Sequence, residues 1–150
     1  MLLKFNAGIC KILYTNCKTV FVYFYIVFFS GDVFNPSTLS IVTRGEHMIP
    51  ILNKSYIAVA TPGNHDFDFG LEQLVSLKSK CNFEWVLSNV IDKHTGEILA
   101  GCKSYCIIDC EGVKVGLFGI AEMEWLQTLS HISINGKIIY TKKINTRRLY

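Results

Sequence analysis

Between Gly63 and Gly70 the chain reads Asn64-His65-Asp66-Phe67-Asp68-Phe69, placing an amide, an imidazole and two carboxylates within five residues. A turn that polar, bracketed by glycines, is rarely made for packing. An imidazole beside a carboxylate suits proton transfer, and amide and carboxylate oxygens suit a hard cation. A second polar turn, Ser30-Gly31-Asp32, follows the apolar run 19–29. Phosphate-ester hydrolysis uses such groups: two divalent cations about 3.5–4 Å apart polarise the phosphoryl group and supply hydroxide at neutral pH. Asp32, Asn64 and His65 have the chemical types for it, a carboxylate, a neutral donor and an imidazole for the leaving oxygen.

Elements must hold these residues. Residues 56–60 form a short apolar run that reads as a buried strand, and Leu71, Leu74 and Val75 follow at helical spacing. The polar turn therefore sits where a strand hands over to a helix, the carboxyl edge at which open α/β sheets bind ligands. Upstream, 19–29 is dense in β-branched and aromatic residues and predicts a central strand ending in a tight turn. Its eleven residues are too few to span a bilayer, and a strand is preferred to a signal peptide or anchor.

Asn35-Pro36-Ser37 signals a helix start, Gly45 divides 37–53 into two short helices, and Pro50 limits the regularity of the second. Strand 20–29, these helices and strand 55–60 make a parallel, right-handed βαβ unit. That unit brings Asp32 and Asn64 to one sheet edge although they lie 32 residues apart. Residues 84–90 read as a further strand with Asn89 at its end, 92–97 as a turn, and 105–109 with 113–120 as an antiparallel pair. A short helix over 122–129 and a hairpin at Asn135-Gly136 complete the expectation. The class is α/β, a layered sheet flanked by helices. A helix over 69–80 would be capped by Asp68.

Composition agrees with a folded chain. The 150 residues are 50% hydrophobic and 18% charged, which suits one globular domain or part of a larger one and excludes a disordered chain. The net charge of +3 comes largely from residues 131–150, which carry Lys137, Lys142, Lys143, Arg147 and Arg148 and no acid. Without interleaved aromatics these read as a solvated end rather than a nucleic-acid or lipid surface. The six cysteines (Cys10, Cys17, Cys81, Cys102, Cys106, Cys110) form no CxxC pair. Cys102, Cys106 and Cys110 fit one strand face as small inward side chains, which slightly favours a reducing, cytoplasmic setting over a secreted or membrane-anchored one.

Ser30-Gly31-Asp32-Val33-Phe34-Asn35-Pro36-Ser37 and Gly63-Asn64-His65-Asp66 resemble the second and third motifs of the calcineurin-like metallophosphoesterases, and Phe67-Asp68-Phe69-Gly70 resembles their 5′-nucleotidase branch. Similarity extends through Val42-Thr43-Arg44-Gly45, Leu87-Ser88-Asn89-Val90 and Gly116-Leu117-Phe118-Gly119, covering roughly residues 20–130. The resemblance implies hydrolysis of phosphate monoesters, nucleotides above all, with two divalent metal ions as cofactors. It makes Asp32 the bridging metal ligand, Asn64 an amide ligand, His65 the catalytic histidine and Asp68 the acid paired with it. A carboxylate beside an imidazole also fixes its tautomer and raises its pKa, whatever the family. Asp66 reads as a supporting carboxylate and Asn89 as a strand-end amide.

Departures from the family pattern shape the rest of the expectation. Residues 1–29 contain no aspartate or histidine for the first motif, Asp-x-His, and no Gly-His-x-His occurs downstream. The Asp92-Lys93-His94 triplet sits in a predicted turn, and His47, His94 and His131 match no ligand position. The domain reading is an unassigned apolar segment at 1–19, a partial metallophosphoesterase domain at 20–130, incomplete at both ends, and a basic tail at 131–150. Little or no turnover is expected of this chain alone. The alternative is a non-catalytic remnant or membrane-anchored interaction protein.

Overall fold

The computed structural model describes residues 8–16, 20–110, 112–122, 124, 128–129 and 138–140, with side chains from residue 26 to residue 129 among them. Four strands form the main sheet in the order β1 (Gly8–Asn16), β2 (Val20–Phe29), β3 (Ile57–Ala60), β4 (Glu84–Trp85). β1 runs antiparallel to β2, with Gly8 opposite Phe28, while β2, β3 and β4 run parallel, with Phe29 opposite Ala60 and Ala60 opposite Trp85. The parallel register brings the carboxyl ends of β2 and β3 level. Beyond them the Thr61 N–H still donates to the Phe29 carbonyl at 2.9 Å.

The crossover between β2 and β3 contains the two short helices expected. α1 (Thr38–Thr43) starts at Ser37, whose hydroxyl accepts the Ser40 N–H at 3.0 Å, and ends at Arg44 and Gly45, both with positive φ. A single 3₁₀ turn, Glu46–Met48, leads into α2 (Ile49–Lys54). Pro50 lies in the first turn of α2, where its missing N–H removes no helical bond. α3 (Leu71–Ser79) follows the polar turn and buries Leu74 and Leu77 completely.

Alternation along β2, and along β3 with a register shift that leaves Ala58 without a partner residue in β2, divides the core into two layers. Val27 and Phe29 of β2 and Ile57 and Ala60 of β3 meet the helices, Phe34, Phe67 and Trp85 on one face of the sheet. Phe28, Ala58 and Val59 meet the other face, which is covered by an antiparallel hairpin of β6 (Cys106–Cys110) and β7 (Val113–Leu117) through Val115 and Leu117. Cys106, Ile108 and Cys110 turn toward this layer, as the strand periodicity predicts. Cys102 does not join them. It lies in the loop before β6, buried, with the Lys78 ammonium 3.2 Å from its sulfur.

The expected strand over 84–90 is broken. After β4 the backbone changes partners: Val86 bridges to Lys103, the Leu87 N–H donates to the Lys103 carbonyl, and the Ser88 N–H donates to the Gly119 carbonyl. The chain re-forms as β5 (Val90–Asp92), antiparallel to β8 (Ile138–Tyr140). The Asn135-Gly136 turn and half of the expected 122–129 helix, residues 123 and 125–127, lie outside the described residues; Leu129 is buried. Among the described residues no helix is long and apolar enough to cross a membrane.

Candidate active site

Two loops meet at the carboxyl ends of β2 and β3, and their backbones approach so closely that no side chain fits between them. A Cβ on Gly31, at φ +92°, would lie 2.1 Å from the Gly63 nitrogen, and one on Gly63 would lie 2.2 Å from Asp32 Oδ1. Glycine is required at both positions by this approach, and at Gly31 also by the positive φ. Asp32 itself adopts φ +60°, a conformation open to aspartate at some cost.

The loops are joined by Asp66. Its carboxylate is 1% exposed and accepts four backbone N–H groups: Val33 and Phe34 at Oδ1 (2.8 and 3.0 Å), Asp32 and Gly63 at Oδ2 (2.8 and 2.9 Å). Burial pushes this carboxyl above its ordinary value, against the downward pull of the four N–H bonds. Asp66 is thus a supporting group, turned away from solvent into the backbone of both loops.

Above Asp66 lie the candidate site residues. Asp32 Oδ1 accepts the His65 N–H at 2.9 Å, so the carboxylate after β2 and the amide–imidazole pair after β3 share one edge. His65 Nδ1 lies 2.9 Å from Asp68 Oδ2. The carboxylate accepts, so Nδ1 carries the proton and Nε2 is the remaining ring nitrogen. The hydrogen bond to Asp68 raises the His65 pKa above 6.5; burial opposes this, and the charges of Asp68, Asp32 and Asp66 add to the rise. Asn64 is half-buried at the start of the 3₁₀ turn His65–Phe67, and its side-chain amide makes no hydrogen bond among the described residues.

Asp68 does not cap α3. The residue preceding that helix is Gly70, at φ +93°, and no side chain caps it. The Asp68 carboxylate turns back to His65 Nδ1 of its own loop and to the side-chain amide of Asn35 in the loop after β2. Asn35 is the site residue that sequence reasoning missed: read as a helix-start signal, it carries a contact to a partner 33 residues away. No local spacing announces such a pairing. Asn89 is 2% exposed and clamps Ala121, accepting its N–H at 3.0 Å and donating to its carbonyl at 2.8 Å. His94 sits exposed in the turn after β5, and His131 lies outside the described residues.

The arrangement offers an imidazole with a bound carboxylate and two oxygen donors, Asp32 and Asn64. A hard divalent cation takes about six ligands. Among the described residues no group of three or more His, Cys, Asp or Glu is gathered to hold one. Asp32 and Asn64 are two oxygen-bearing side chains on this edge, fewer than such an ion takes.

No protein-family model matches the chain. The chain superposes on the NAD nucleotidase NadN of Haemophilus influenzae with a TM-score of 0.66 at 22% identity, covering 83% of this chain and 22% of that one. It superposes on the calcineurin-like phosphoesterase YfkN of Bacillus subtilis with a TM-score of 0.55 at 20% identity, covering 77% and 40%. The fold is part of a calcineurin-like metallophosphoesterase fold. In sequence, the chain is 40% identical over 58 residues to a 5′-nucleotidase of Vibrio cholerae, covering 39% of this chain and 10% of that protein. It is 28% identical over 113 residues to the cell wall protein Lmo0130 of Listeria monocytogenes, covering 63% and 14%. The resemblance carried by the two glycine-bearing motifs is thus met again in backbone and in relatives. The chain spans 10–14% of the length of these curated relatives. The two motif-bearing loops follow the parallel strands β2 and β3, and Asp66 joins them.

Proposed function

We propose that this chain carries one wall of a phosphomonoester-hydrolase site of the 5′-nucleotidase type, with a nucleotide as the substrate class. The observation that carries the reading is the His65–Asp68 pair, 2.9 Å long, set beside Asp32 on the same sheet edge. In this reading His65 presents Nε2 to the phosphate ester and gives a proton to the leaving oxygen, while Asp68 holds the ring and favours its charged form. Asp32 and Asn64 serve as ligands of the divalent ions on which such hydrolases depend. Hydrolysis of the monoester consumes water and releases an alcohol, here a nucleoside, and inorganic phosphate.

Two donors, the number among the described residues, are too few to hold such ions firmly, so the isolated chain binds divalent cations weakly and turns over little or no substrate. That shortage favours, for the chain by itself, a non-catalytic role retained on the same fold. Calorimetric titration of the purified chain with manganese separates these points. Weak uptake that disappears in Asp32→Ala and in Asn64→Ala supports the ligand assignment; uptake unchanged in both variants overturns it. Hydrolysis of AMP or p-nitrophenyl phosphate, metal-dependent and lost in His65→Ala, would overturn the expectation of inactivity while supporting the catalytic one.

A further inference from the structure

The geometry points to Asn35 as a positioning residue that holds Asp68 in place beneath His65. It rests on the reading of His65 as the proton donor, and it concerns a residue that reading does not use. Asn35 belongs to the loop after β2, whereas Asp68 and His65 belong to the loop after β3, with Asp68 33 residues further on. The Asn35 side-chain amide donates to Asp68 Oδ2, the same oxygen that accepts from His65 Nδ1.

Asp68 needs such a brace. It caps no helix, and its side chain is 35% exposed and that of His65 45%, so neither is fixed by packing. An exposed pair of this kind gains little from charge alone, because water screens it and both side chains lose rotamer freedom on pairing. A third group that fixes the carboxylate lowers that loss, since one partner is then already in place when the ring arrives. Asn35 suits this role because an amide donates a hydrogen bond without placing a further charge beside the ring. The buried Asp66 clamp fixes the two backbones below, and the Asn35 bond fixes the side chains above. These are separate layers with no hydrogen bond in common.

Side-chain rotamer couplings at χ1 of Asp68 and His65, measured by NMR on the metal-free protein, test this directly. The wild type is expected to show single-rotamer values at both residues. Asn35→Ala is expected to move both to averaged values, while the Asp32, Val33, Phe34 and Gly63 amides bonded to Asp66 keep their exchange protection. Asn35→Ser, which shortens the side chain beyond reach of Asp68, should repeat the result. From the other side, Asp68→Ala should shift the Asn35 side-chain amide resonances toward those of a solvated amide. Single-rotamer values persisting in both Asn35 variants overturn the assignment, as does averaging accompanied by loss of protection at the four amides, which marks a general loosening of the loops. Manganese uptake indifferent to Asp32 would overturn the function proposed above and leave these couplings unchanged, so the two failures are distinguishable.

Discussion

Asp66→Asn removes one charge and almost no volume, and the structure says what that does. Each Asp66 oxygen accepts two N–H groups, whereas an asparagine presents one accepting oxygen and one donating nitrogen. Whichever way the amide turns, two backbone N–H groups then face an NH₂ in a site that is 1% exposed. A buried donor left without a partner costs about 1–3 kcal/mol, so two cost about 2–6 kcal/mol. Removing the charge relieves the burial cost that raises the Asp66 pKa, which offsets part of this. The net expectation is a loss of about 2–4 kcal/mol, a large share of the roughly 5–15 kcal/mol typical of a domain. Urea unfolding followed by fluorescence and circular dichroism should show the midpoint fall with little change in slope. A loss below about 0.5 kcal/mol, within the range of an ordinary surface substitution, would refute the assignment of Asp66 as the joint between the loops.

Further expectations concern the same edge. Gly63→Ala places a methyl 2.2 Å from Asp32 Oδ1 and 2.6 Å from its nitrogen. It should cost about 1–3 kcal/mol by overpacking in thermal melts and weaken calorimetric manganese uptake. In chelator-treated protein the His65 ring should titrate above 6.5 by NMR, and Asp68→Asn should bring it down, because the Asp68 bond is the largest cause of the rise. A raised folded pKa means the folded state holds the proton more tightly. The His65 contribution to stability is therefore complete below pH 6.5 and is lost as pH rises through the raised value. Asn89→Ala strands the N–H and carbonyl of Ala121 in a buried setting and should lower stability by about 2–5 kcal/mol, read from denaturant midpoints.

The parts of this molecule set by local pattern were legible in its sequence. The β-branched run 20–29, the division at Gly45 and the strand-to-helix passage through GNHDFDFG each depend on neighbours within a few residues, and each appears as expected. The βαβ unit places Asp32 and Asn64 on one edge, and the 2.9 Å bond from the backbone N–H of His65, next to Asn64, to Asp32 agrees. Pairings over long separations were not legible. Asp68 satisfies the local signature of a helix cap, yet two donors, one of them 33 residues distant, draw it away. Residues 84–90 have the apolar content of one strand, but four different backbone partners, β3, Lys103, Gly119 and β8, divide them. Asn89 has the local setting of a strand-end amide, and its clamp on Ala121 depends on a loop 32 residues later.

The Asp66 clamp also bears on the order in which the molecule folds. Three of its four donors lie 32 to 34 residues before it, so their bonds exist only once β2 and β3 are side by side. Closing a segment of that length costs about 3 kcal/mol of chain entropy before any of the bonds forms. The helices of the crossover, six residues each, are too short to persist alone and are held once they pack on the sheet. During refolding the amides of Asp32, Val33 and Phe34 should therefore gain exchange protection together, and not before β2 and β3 pair. A newly made chain thus has this polar edge only when the βαβ unit has closed.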